Sequence, residues 1–250
     1  FIAASAQTPF SRYLPVQASW GHPLLERPIR VLAAIANPRD VSQRYRLTPL
    51  DVERERFVLA SAFAGIDPQH IRLSFLKPPV TLERLAQALQ KGYHWLHFVG
   101  HGWVNARQAQ LSIILENDQG ESRAVTAHLF SSILTHHGAQ PQLVFLSMCH
   151  SAVTQASRPA QDPSLGLGPQ LIRAGIPAVV AMRDQVSIRT THVLARTFYE
   201  AAASHGIADR ALNQAREAVL AAELPGITSP ILFMRLSSGQ LWQRRREPKR

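Results

Sequence analysis

The strongest constraint on the fold of this chain is its alternation of short apolar runs with amphipathic stretches. Residues 29–36 form a nearly continuous apolar run closed by Pro28 on one side and Asn37-Pro38 on the other. That is the pattern of a strand buried on both faces. Thr48 and Pro49 predict the start of a helix reaching to about Ala64, with Leu50, Phe57, Leu59, Ala60 and Phe63 on its apolar face and Gly65 at its end. Residues 71–76 alternate as a strand, and Thr81 predicts the cap of a helix over 82–90. A third strand is expected over 93–99. Residues 111–115 and the stretch up to Val125 flank Asn117-Asp118-Gln119-Gly120 as a hairpin.

The rhythm continues to the end. Thr126 predicts the cap of a helix to about His137, residues 142–148 a fourth strand and 176–182 a fifth. Helices are expected over 188–203 and 209–223, and a last strand over 229–236. Strands separated by helices are βαβ units, which build an α/β domain with a mostly parallel sheet and helices on both faces. One stretch breaks the pattern. Residues 150–163 carry Ser151, Ser157, Pro159 and Pro163 without an apolar period and read as a long exposed loop.

Composition narrows the classes. No uninterrupted apolar run approaches the roughly 18 residues of a membrane-spanning helix, so no membrane partner is expected. Cys149 is the single cysteine, which excludes an internal disulfide framework and multi-cysteine metal sites. The net charge is +10, and all basic residues but Lys77, Lys91 and Lys249 are arginines. Residues 244–250 alone hold five positive charges and one negative. A basic tail of this kind suits an acidic partner or nucleic acid, but no basic run with interleaved aromatics occurs in the body, and direct nucleic-acid binding is not expected. The chain opens at Phe1 without a methionine or a leader-like segment. The expectation is a piece of a longer protein in a cytoplasmic setting.

Two strand ends carry reactive side chains. The third strand leads into His97-Phe98-Val99-Gly100-His101-Gly102, and the fourth into Phe145-Leu146-Ser147-Met148-Cys149-His150. If these strands are neighbours, His101 and Cys149 emerge at one edge of the sheet, where open α/β sheets place their sites. An imidazole beside a thiol can take its proton and leave a thiolate nucleophile. The glycines flanking His101 open space for a substrate and permit unusual backbone angles. The N–H groups of Gly102 and Cys149 are then candidate oxyanion donors.

The blocks WLHFVGHGW (95–103), LVFLSMCHSA (143–152), GLGPQLIRAGIPAVVAM (166–182), VLARTFYEAA (193–202) and ALNQAREAVL (211–220) resemble the CHAT domains, in order and in spacing. These are a branch of the caspase-like cysteine peptidases, grouped with separases and gingipains. The preamble FIAASAQTPFSRYLPV is similar too, while the Trp-containing segment that precedes it in such proteins is absent. The resemblance implies the caspase–haemoglobinase fold with a central sheet of about six strands. It divides the chain into a domain over 1–236 and a basic tail over 237–250. It also implies a catalytic dyad of His101 and Cys149, with the Gly102 and Cys149 amides at the oxyanion, acting on protein or peptide substrates. No cofactor or metal is implied. Upstream repeat or sensor regions, or an activating partner, are expected of a regulated protease. The other reading is a catalytically silent scaffold that binds protein partners.

Further implications concern individual residues. Caspase-like sites build their primary pocket from the residue two before the cysteine, here Ser147, and from the segment after the fifth strand, here Arg183 and Asp184. Strand alternation would send only one of those two inward. Asp184 inward favours a basic P1 side chain and Arg183 an acidic one, with apolar P1 a further alternative. His97 and His101 share a face, but on a strand they stand roughly 13 Å apart, too far to share a metal ion. His97 therefore reads as a packed core residue. His150 should point away from Cys149, and His136 and His137 should close a helix. His101 has no evident acidic partner, and such dyads are similar in orienting the histidine with a backbone carbonyl.

Overall fold

The computed structural model describes residues 11–13, 21–105, 110–135, 140–149, 166–184 and 186–243, with the backbone alone at 12, 13, 104, 105, 110 and 149. In chain order its elements are β1 (Arg12–Tyr13), β2 (Ile29–Ile35), α1 (Val41–Tyr45), α2 (Val52–Phe63), β3 (Ile71–Phe75), α3 (Leu82–Leu89), β4 (Trp95–Asn105), β5 (Gln110–Glu116) and β6 (Ser122–Thr126). There follow α4 (Ala127–Thr135), β7 (Leu143–Cys149), α5 (Leu167–Ala174), β8 (Ala178–Met182), α6 (Ile188–His205), α7 (Ala208–Ala221) and β9 (Pro230–Met234).

The sheet runs β1-β9-β8-β7-β4-β2-β3, with the β5–β6 hairpin added on the far end of β4. Pairing is parallel from β3 to β8 and antiparallel between β8 and β9. Registers line up as rows across the sheet. Val31, Trp95, Leu143 and Ala178 form one row, and Ala33, His97, Phe145 and Val180 the next but one. Because side chains alternate along each strand, these rows and their equivalents bury against α2, α6 and α7. The intervening Leu32, Leu96, Phe98, Val144, Leu146 and Val179 bury with α3, α4 and α5 on the other face. Burial on both faces is what makes the strands read as continuous apolar runs.

Local chemistry explains most boundaries. Thr81 Oγ1 accepts from Arg84 N–H at 3.1 Å, and Thr126 Oγ1 from Leu129 N–H at 3.2 Å, so both threonines start their helices as expected. The sheet holds nine strands among the described residues where about six are expected, and further features also differ from the sequence reading. The helix expected from Thr48 begins at Val52, where the Asp51 carboxylate accepts from Arg54 N–H at 3.0 Å. Residues 46–50 are instead loop. Strand β4 does not stop at Val99 but runs on through Gly100-His101-Gly102. Helix α5 arises from Gly-Leu-Gly-Pro, a turn-like sequence, because Pro169 sits in the first turn where its missing N–H is not needed. Finally, Leu241 and Trp242 are buried in the core, so the packed body passes the expected boundary at residue 236. The Arg27 guanidinium stacks over the Trp242 ring 4.1 Å away. His136, His137, His150, the loop over 151–163 and the arginines from 244 lie outside the described residues.

Candidate active site

Strands β4 and β7 are central neighbours, paired in parallel, and their register sets Val99 against Ser147, Gly100 against Met148 and His101 against Cys149. Adjacent strands lie about 4.8 Å apart. The condition on which a His–Cys pairing depends, that the two strands be sheet neighbours, is met by the topology.

His101 is held within a strand rather than in a turn. Its part of β4 also pairs antiparallel with β5, His101 opposite Ile114 and Gly102 opposite Ile113. The glycine before it answers to space and not to backbone angle. A Cβ at Gly100 would lie 2.8 Å from the Phe98 ring, which packs edge-on to Phe130 with centroids 5.4 Å apart.

The imidazole of His101 is nearly enclosed, with 6% of the residue exposed, rather than standing at an open cleft mouth. Its Nε2 lies 2.8 Å from the Thr48 carbonyl oxygen. A carbonyl only accepts, so Nε2 carries the proton and Nδ1 carries the lone pair. Among the described residues Nδ1 is buried without a hydrogen-bond partner. Burial pushes the His101 pKa down, and the bond to Thr48 pulls part of it back. The ring is thus neutral at pH 7 and has one nitrogen ready to accept a proton. A backbone carbonyl in this role matches the expectation from sequence, and the loop that sequence assigned to a helix supplies it.

His97, four residues earlier, is different. Its Nδ1 is 2.8 Å from the Tyr199 hydroxyl, and its ring stacks on Phe145 at 4.9 Å. Burial, reinforced by the nearby His192, pushes its pKa down to about 3. It is a core residue. Among the described residues no three His, Cys, Asp or Glu side chains gather as a metal site.

Ser147 is half-buried and lines a small cavity with Val99, His97, Leu59, Glu55 and His192. Across it, His192 Nε2 meets the Glu55 carboxylate at 3.1 Å, with both side chains largely buried. Sequence reasoning missed this pair, since no local signal links positions 137 residues apart. Arg183 and Asp184 do not join Ser147 in that cavity. They follow the end of β8 at Met182, where strand alternation no longer applies, and pair with each other at 2.9 Å. Both are about half exposed, and Arg183 also reaches Thr228 while Asp184 accepts from Ser229 Oγ, each at 3.4 Å.

A family model described as the CHAT domain matches residues 2–231. The chain belongs to the CHAT domain family. Among solved structures it is similar to the Arg-specific cysteine proteinase gingipain R, at 14% identity and a TM-score of 0.51, over 84% of this chain and 46% of that one. This CHAT domain therefore spans about half the length of the gingipain chain. It is also similar to caspase-1 from Spodoptera frugiperda, at 10% identity and a TM-score of 0.50, over 96% of this chain and 98% of that one. These likenesses establish the caspase–haemoglobinase fold. No curated protein matches the chain. No helix among the described residues is long and apolar enough to cross a membrane.

Proposed function

We propose that this CHAT domain is a cysteine endopeptidase that works through a His101/Cys149 dyad. The observation that carries the reading is the pairing of positions 101 and 149 across β4 and β7, with the His101 ring locked by Thr48 in the tautomer that leaves Nδ1 free to accept. Residues paired in register on parallel strands share a face of the sheet.

In this mechanism His101 Nδ1 takes the Cys149 thiol proton, and the thiolate sulfur attacks the scissile carbonyl carbon. The N–H groups of Gly102 and Cys149 bind the oxygen as it becomes an oxyanion. The C–N bond then breaks, and the imidazolium returns its proton to the departing amine. Water, deprotonated by His101, attacks the thioester and releases the acid, which restores thiol and neutral imidazole. Thr48 acts throughout as the acceptor that steadies the ring, so no carboxylate is needed. Ser147 lines the primary pocket, and a neutral serine there cannot itself select a charge; the half-exposed Arg183–Asp184 pair, outside that cavity, is the candidate for charge selection at P1. The domain works as the regulated protease part of a larger cytoplasmic protein, on protein or peptide substrates, with an upstream region or partner as activator. The near-complete enclosure of His101 supports this need for activation.

The second reading, a silent partner-binding scaffold, draws on the same enclosure. A peptidyl acyloxymethyl ketone separates the two. The peptidase reading predicts a covalent adduct on Cys149, seen by intact mass, that is absent in Cys149→Ala and strongly slowed in His101→Ala. Labelling at equal rates with and without His101 contradicts it.

A further inference from the structure

Thr48 belongs to neither of the helices around it. It lies in the loop between α1, which ends at Tyr45, and α2, which begins at Val52, and its own side chain is exposed. Something else must hold its carbonyl against His101. The Asn37 side chain grips this loop at one residue. Its Nδ2–H donates to the Leu50 carbonyl at 3.0 Å, and its Oδ1 accepts from Leu50 N–H at 2.9 Å. One planar amide supplies both donor and acceptor, so it pairs with the backbone of a single residue as a neighbouring strand would.

Asn37 is itself anchored at both sides. Its backbone N–H donates to Glu116 Oε1 at 3.4 Å, and Glu116, buried at the end of β5, also accepts from Val80 N–H through its other oxygen. Just before it, Ala36 N–H donates to the Val99 carbonyl at 2.9 Å. The connection thus leaves β4 two residues before His101, passes through Asn37, Leu50 and Thr48, and returns to β4 at the His101 ring.

We propose that Asn37 is the positioning residue of this site: by clamping Leu50 it sets the Thr48 carbonyl against His101 Nε2–H and so fixes the tautomer and orientation of the ring. Asn37 touches neither the imidazole nor a substrate, and it acts through the loop. The clamp stands on geometry, while its consequence for catalysis rests on the peptidase reading above.

The test reads the ring directly, on the full chain labelled with ¹⁵N-histidine. The native protein shows His101 with an unprotonated Nδ1 and a slowly exchanging Nε2–H. Asn37→Ala gives mixed tautomers and fast exchange at that proton while the dispersed amide spectrum persists. Ring signals unchanged from native overturn the proposal. Should Asn37→Ala fail to fold, Asn37→Asp decides: it keeps the acceptor for Leu50 N–H but loses the donor to the Leu50 carbonyl. Accelerated Nε2–H exchange there supports the clamp, and native exchange overturns it. A second readout is alkylation of Cys149, the single thiol, by iodoacetamide. It slows by about 10-fold in Asn37→Ala if the ring serves the thiol. Altered ring signals with unchanged alkylation establish the clamp and count against the peptidase reading, so the two ideas fail separately.

Discussion

His101 and Cys149 stand opposite each other in the parallel pairing of β4 with β7, at the point where β4 also takes up β5. Central strands buried on both faces fix this relationship through packing along their whole length. A one-residue slip of either strand would turn every buried side chain to the wrong face. The register is therefore as stable as the core.

The protonation state of His101 gives the first prediction. Burial lowers its pKa below the ordinary 6.5, with the Thr48 bond offsetting part of the shift. The ring is then mostly neutral at pH 7, and its capacity to act as a base is lost as pH falls through the depressed value. The rate of Cys149 acylation should accordingly show its His101-dependent acid limb below pH 6.5. A limb centred above pH 7 contradicts the assignment.

His97 makes a stability prediction. The unfolded chain binds a proton near 6.5 and the folded chain only near 3, so the unfolded state holds more protons throughout that window. The contribution of neutral His97 is complete above 6.5 and is lost progressively as pH falls toward 3. Between pH 7 and 5 the loss is about 2 kcal/mol. Urea unfolding at pH 7 and pH 5 should show His97→Gln losing about 2 kcal/mol less than the native chain over that interval. Equal losses would show that His97 is not buried neutral.

The fold was largely legible because its signals are local. Ile29–Ile35 and Ala178–Met182 are apolar runs whose burial follows from composition, and Thr81 and Thr126 announce their helices through caps three residues long in reach. The pairing of 101 with 149 was legible from two reactive strand ends and the family resemblance. What the sequence hid is non-local. Thr48-Pro49 has the signature of a helix start, but Asn37, 13 residues before Leu50, binds that residue's N–H and carbonyl. The result is a loop that serves His101 in place of a first helical turn. Glu55 and His192 meet only because α2 and α6 pack on the same sheet face. Arg183 and Asp184 pair with each other because β8 has already ended, which alternation along a strand could not foresee.

Gly100 offers a packing prediction. A Cβ there would press on the Phe98 ring, itself buried beneath α4. Gly100→Ala should cost about 1–3 kcal/mol of unfolding free energy. Phe98→Leu, which removes the ring, should recover part of the loss in a double mutant. Additive effects in that cycle would place the two groups out of contact.

Arg183 and Asp184 give a separate prediction. The Arg183–Asp184 pair is half exposed, so a substrate can break it at modest cost. If Asp184 selects a basic P1 side chain, Arg183→Gln frees it and raises the preference for Arg over Leu, and Asp184→Asn lowers that preference. Peptides with Arg, Leu and Asp at P1 make the comparison. A preference unmoved by either substitution removes both residues from the primary pocket.

The central claim is tested most directly by a peptide-library cleavage profile of the intact, full-length protein beside Cys149→Ala and His101→Ala. The account predicts sequence-selective cleavage by the native protein and its loss, at native Tm, in both variants. A folded Cys149→Ala protein that still cleaves the same bonds would contradict it.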